Sequence, residues 1–192
     1  MKRLLTVIFV CLCALTAQAQ NEHLTFKSVP IDGHLIFYIE KMKLKGFSLV
    51  EKEDNSARLK GDFAGVKDCF LDVATLSYQD LVYYITVSFP VQEDWEGLFG
   101  MYSELKSMLT EKYGKPANVV EEFTRSRIPK EDKEKYGQAT LGYCKYKTTF
   151  STSLGTIELQ IESDKIFNCF VTLTYTDRIN SNRVRQKAID DL

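Results

Sequence analysis

Residues 47–52, 57–63, 67–75 and 81–89 are four strand-like runs joined by links of only a few residues. That order confines the chain more than any other feature of it. A parallel crossover needs about a dozen residues or more, so links this short leave only antiparallel neighbours. The last run alternates Tyr83, Ile85, Val87 and Phe89 with Val82, Tyr84, Thr86 and Ser88. Such alternation predicts one face turned to the core and the other turned out. Ahead of the four runs and after a polar N-terminal tail, residues 31–45 carry Leu35, Ile39 and Met42 at helical spacing. Gly46 suits the position just past a helix end, where left-handed backbone is free of strain.

The pattern then restarts. Asp94 is placed to cap a helix ending at Tyr113, with Trp95, Leu98, Tyr102, Leu105 and Leu109 as its stripe and Gly114 and Pro116 as its stop. Runs at 118–124, 141–150, 156–162 and 167–176 follow, with a turn at Ser153-Leu154-Gly155. The stretch Ile85-Thr86-Val87-Ser88-Phe89 echoes Val171-Thr172-Leu173-Thr174-Tyr175. The fold class expected is α+β: two tandem helix-plus-four-strand repeats, at about 31–90 and 94–177, forming an antiparallel sheet with helices on one face. A C-terminal helix at about 181–191 completes the fold. Asn180 or Ser181 would cap it, and Val184, Ala188 and Leu192 would dock it.

The first nineteen residues look like an export signal. Lys2 and Arg3 precede an apolar run, and Ala17-Gln18-Ala19 is a small-x-small cleavage site. The run is too short to cross a bilayer of about 30 Å. Cleavage after Ala19 would leave 20–192 as a single domain, periplasmic or secreted. The whole chain carries 25 basic and 26 acidic residues. Loss of Lys2 and Arg3 leaves 23 against 26, a net charge of −3. That balance disfavours adsorption to nucleic acid or to anionic lipid. No later run is long enough for a membrane span.

Chemistry-bearing constellations are sparse. There are 2 His and 5 Cys, of which Cys69, Cys144 and Cys169 follow the leader. The strand phases of Cys69 and Cys169 point inward, where a thiol behaves as a small hydrophobe. Cys144 and Cys169 fall on strands separated by a third, about 9.5 Å apart and beyond the roughly 7 Å limit for a disulfide. Three free thiols are expected. His23 and His34 have no partner His or Cys at ligand spacing, and the adjacent pairs Glu121-Glu122 and Asp190-Asp191 are not ligand sets. No catalytic group, metal site or cofactor is assigned.

Two surfaces stand out instead. The outward phase gathers Phe70, Tyr84, Tyr143 and Phe170 among Thr and Gln, and aromatic side chains are the usual anchors of interfaces. The long link between residues 124 and 141 holds Lys130, Lys133 and Lys135 in a charge run, expected as a solvated loop and the second choice for a contact. Phe37 and Leu44 lie opposite the buried stripe of the first helix, which favours a helix covered on both sides.

The tandem helix-plus-four-strand plan resembles the family of the secreted β-lactamase inhibitor protein and, more distantly, the saddle of TATA-binding proteins. Gly114-Lys115-Pro116 and Gly155-Thr156-Ile157-Glu158-Leu159 also resemble small exported proteins of Gram-negative bacteria with no assigned activity. The resemblance covers nearly the whole mature chain as a pattern of elements, implies the fold alone, and carries over no site residue. The function expected is a non-enzymatic exported binding module, such as an inhibitor of a secreted enzyme, its partner in the cell envelope or medium. The rivals are a carrier of a small molecule or peptide and an enzyme without a recognisable motif.

Overall fold

Period-two alternation with short turns builds this molecule around one sheet. The computed structural model describes residues 22–76, 79–125, 127–190 and 192, and the export signal assigned to 1–19 lies outside them. The start is not the polar tail expected. A two-stranded hairpin, β1 (Thr25–Phe26) and β2 (Val29–Pro30), turns through Lys27 and Ser28, both at positive φ. Leu24, Phe26, Val29 and Ile31 are buried. Phe26 stacks on Phe63 at 4.9 Å and meets the edge of Tyr175 at 5.5 Å. A few large apolar residues outweigh the polar neighbours that mask them in the sequence.

Helix α1 runs Leu35–Leu44 and buries Leu35, Tyr38, Ile39 and Met42. It starts four residues later than expected because residues 31–34 form a bend after the hairpin, with Gly33 at positive φ. His34, at its N-cap, makes no side-chain cap bond. Asp80 acts from a distance instead, accepting the Leu35 N–H at 3.2 Å. Strands β3 (Ser48–Lys52), β4 (Ser56–Phe63), β5 (Val66–Thr75) and β6 (Val82–Ser88) then form a meander. Helix α2 (Trp95–Tyr113) follows, with Asp94 accepting the Gly97 N–H at 2.8 Å as predicted. All five residues of its expected stripe are buried.

After β7 (Asn118–Phe123) comes an unexpected element. The link expected as a loop folds into α3 (Asp132–Thr140), so β8 is confined to Cys144–Ser151. Strands β9 (Gly155–Ser163) and β10 (Cys169–Asp177) complete the sheet. Gly155 is obligatory at the β8–β9 turn, since a Cβ there would lie 2.1 Å from the Thr176 carbonyl oxygen. The order is β3-β4-β5-β6-β10-β9-β8-β7, with every neighbouring pair antiparallel.

One inward row crosses all eight strands: Leu49, Leu59, Leu71, Val87, Leu173, Leu159, Thr148 and Val119. Helices α1 and α2 pack on this side, and the one hydroxyl in the row, Thr148, is met by Tyr102 at 2.6 Å. The phase of β6 needs one correction. A register shift between Ala74 and Thr75 puts Val82 opposite Thr75, so Val82 is fully buried and Tyr83 only half-buried. A bulge of this kind reverses the side-chain alternation at the start of the strand.

Helix α4 spans Arg178–Asp190 and begins earlier than predicted. Its cap is Asp177, whose carboxylate accepts the Asn180 N–H at 2.8 Å. Asn180 is the buried residue of this helix, whereas Ala188 and Leu192 are exposed and do not dock it.

Candidate binding face

The face of the sheet opposite α1 and α2 follows from the same alternation. In the register, Ser48, Lys60, Phe70, Ser88, Thr172, Gln160, Lys147 and Val120 form one outward row. A second runs through Arg58, Asp72, Thr86, Thr174, Glu158 and Thr149. The two central strands contribute no charge to this face. Beyond the bulge β6 supplies Tyr84, Thr86 and Ser88, and β10 supplies Phe170, Thr172, Thr174 and Thr176. Thr86 and Thr174 hydrogen-bond to each other at 2.9 Å.

Charges sit on the flanking strands, most of them in ion pairs, with Glu162 directly across from Phe170. Arg58 donates to both carboxylate oxygens of Asp72, at 2.7 and 3.0 Å, and Lys60 lies 2.7 Å from Asp68. On the other flank Lys147 lies 2.8 Å from Glu158 and Lys145 lies 3.7 Å from Glu122. Burial among β-branched and aromatic neighbours explains the neutral centre, because a charge there would lose hydration without a partner.

The four predicted aromatics do not form one patch. Phe70 is 38% exposed, with the Arg58 guanidinium 5.6 Å from its ring centre and the Lys60 ammonium at 5.8 Å. Phe170 is half-buried two residues before Thr172, which shares the row of Phe70. These two belong to the same end of the central strands. Tyr84 lies toward the other end, its ring 4.6 Å from that of Tyr83 and perpendicular to it. Tyr143 stands just before β8, with the Arg125 guanidinium 4.3 Å from its ring, at the far margin of the sheet. Thr172 departs from its expected exposure. It points outward but is only 2% exposed, and its hydroxyl has no hydrogen-bond partner.

The three lysines of the second choice are not a mobile arm. Lys130 precedes α3, and its N–H donates to Glu134 at 3.1 Å. Lys135 pairs with Asp132 at 2.7 Å and lies 6.0 Å from the Trp95 ring. Lys133 lines an open cleft of about 270 Å³ together with Glu93, Asp94, Glu96 and Tyr136. The helix is anchored by Ala139, which is buried, and by Tyr136, whose hydroxyl donates to the Gln92 carbonyl at 2.8 Å.

The groups that nucleophilic chemistry would need are engaged elsewhere. His23 Nδ1 lies 3.0 Å from Asp177 and its Nε2 lies 3.5 Å from Asp32. Asp177, fully buried, also accepts the Leu24 N–H at 2.8 Å, and Asn180 donates to Asp32, Ile31 and Val82. This cluster ties the two ends of the described chain together, and its long sequence separations hid it from sequence reading. His34 faces Asp80 at 3.3 Å. The three thiols are unbridged. Burial pushes Cys169 up to about 11 and Cys144, only half-buried and facing Cys169, up to about 12. Cys69 is raised by burial as well. These thiols are held neutral, the opposite of an activated nucleophile. Among the described residues no group of three or more His, Cys, Asp or Glu is arranged to hold a metal, and no helix is long and apolar enough to cross a membrane.

Comparisons with protein-family models, with curated proteins and with solved structures gave no match for this chain.

Proposed function

We propose that the chain is an exported binding module that holds a protein partner on the outer face of its sheet. The observation that carries this is the distribution of charge on that face. An uncharged centre on β6 and β10, with Phe70, Phe170 and Tyr84 as partly exposed aromatics, is flanked on both sides by ion pairs. Protein interfaces share this anatomy, with charge depleted at the core, aromatic anchors and a polar rim. The leader at 1–19 supports an envelope or extracellular setting for the partner. The strand order, in which Val87 and Leu173 of the echoing segments pair across the centre, supports a duplicated helix-plus-four-strand unit.

The test uses the mature chain from Gln20 as bait against the envelope and culture medium of its own source. Binding of the captured protein is then measured directly. Phe70→Ala and Phe170→Ala are expected to keep a near-native melt and weaken binding about thirtyfold each. Lys133→Ala, on α3, is expected to bind as the parent does. Normal binding by both aromatic variants would remove the sheet face from the proposal.

A further inference from the structure

Helix α1 is covered on one side only, not on both as its sequence suggests, and exposed Phe37 and Leu44 have Glu40 beside them. The turn between β9 and β10 carries a different kind of exposure. Residues 164–168 close this hairpin, with the Asp164 N–H donating to the Asn168 carbonyl at 3.0 Å and the Phe167 N–H to the Asp164 carbonyl at 3.1 Å. The Asp164 carboxylate fixes the turn from inside. Its Oδ1 accepts the N–H groups of Ile166 and Asn168, both at 2.9 Å, and its Oδ2 accepts the Asn168 side-chain amide at 3.0 Å. These bonds leave Phe167 in left-handed backbone, at φ 68°. A three-residue hairpin loop of this shape calls for glycine there, because a Cβ in that region meets the following carbonyl. Among the described non-glycine residues at positive φ, Phe167 is the only aromatic. It is 59% exposed and Ile166 beside it 75%, so the free chain gains little packing in return for the strain.

We infer that this tip is the leading anchor of the protein interface, with Phe167 and Ile166 entering an apolar pocket on the partner. The inference rests on the outer-face reading above and extends that surface beyond its end. Phe170 follows three residues after Phe167, at the end of the central strands that also holds Phe70. Strain that the free chain does not recover is recovered where a bound partner takes up the side chain. Fixed geometry also selects the class of partner. A lipid layer accepts apolar side chains in any orientation and gains nothing from a ring held by a hydrogen-bonded turn. A folded pocket has a shape to match, and a ring set in advance enters it with less loss of entropy. A second copy of this chain would have to offer the pocket on another of its surfaces, and such a contact runs on into fibres unless its rotation closes a ring. Lys165, exposed on the tip and in no ion pair among the described residues, suits a pocket with a carboxylate at its rim.

One variant tests this through two readouts of opposite sign. Phe167→Asn keeps the left-handed turn, which asparagine adopts readily, and removes the ring. Its urea midpoint should rise, with the folded-to-unfolded ratio up about threefold. The protein captured by the mature chain is the probe for binding, and its dissociation constant should rise about thirtyfold against Phe167→Asn. Lys165→Glu should slow association. The inference is overturned if Phe167→Asn binds within about threefold of the parent. It is overturned if Phe167→Asn unfolds at lower urea than the parent, which would make Phe167 a packing residue of the fold. It is overturned if the mature chain captures no protein, if Phe167 instead carries it onto phosphatidylglycerol–phosphatidylethanolamine vesicles, or if sedimentation velocity shows a dimer that Phe167→Asn dissolves. The two readings fail separately. Binding lost in Phe70→Ala and Phe170→Ala but kept in Phe167→Asn leaves the sheet face and removes the tip, and the reverse pattern leaves the tip and removes the sheet face.

Discussion

Asp177 shows how much one side chain does here. Its buried carboxylate caps α4, accepts the Leu24 N–H and faces His23, so it joins the N-terminal segment, the end of β10 and the last helix. Asp177→Ala would strand two buried N–H donors, and urea denaturation should show a loss of about 2–5 kcal/mol. The thiols give a second test. Cys169 and Cys144 ionise in the unfolded chain near the ordinary 9.0 but only near 11 and 12 in the folded one. The unfolded state therefore sheds protons first. Their contribution to stability is intact below pH 9 and is lost as pH rises through 11 to 12. Urea midpoints should fall over that window, with a shallower fall in Cys144→Ala. At pH 8 an alkylating reagent should reach Cys69 and Cys169 only as fast as the protein opens.

At the scale of elements, legibility tracks whether the determinants are local. The stripe of α2 and its Asp94 cap were readable because every signal lies within the helix itself. The bulge that buries Val82 is set by the register of β5 against β6, and no feature of β6 alone announces it. Helix α3 has one buried residue, Ala139, so it offers no apolar period to read, and contacts with Gln92 and Arg127 hold it from outside. The outward phases of Phe70, Tyr84 and Phe170 followed from alternation, whereas Tyr143 lies one residue before its strand. Thr172 sharpens the point, because facing outward did not make it exposed. Leu173→Ala, which opens a cavity in the core, should cost about 2–5 kcal/mol in urea melts. Thr172→Val, which keeps the shape and removes a buried hydroxyl without a partner, should leave stability unchanged or raise it by about 1 kcal/mol.

For the molecule as a whole, the sheet order ranks the strands. β6 and β10 are each paired on both sides at the centre, while β3 and β7 are edges. Hydrogen exchange followed by mass spectrometry should find the slowest amides in β6 and β10 and the fastest strand amides in β3, where Val50 interrupts the ladder. The central pairing is also the least local in the sheet, since it joins residues such as Thr86 and Thr174 across 88 positions. Closing so long a loop costs entropy before the contact is gained, so this pairing comes late. Synthesis makes the delay directional. β6 is complete while β10, the last strand of the sheet, has yet to emerge. In that interval β6 is a bare edge carrying Ile85 and Val87, ready to pair with the same strand of a neighbouring nascent chain. The moment of greatest danger for this protein therefore falls between the fourth strand of its first meander and the arrival of β10, and a folding helper would have to shield β6.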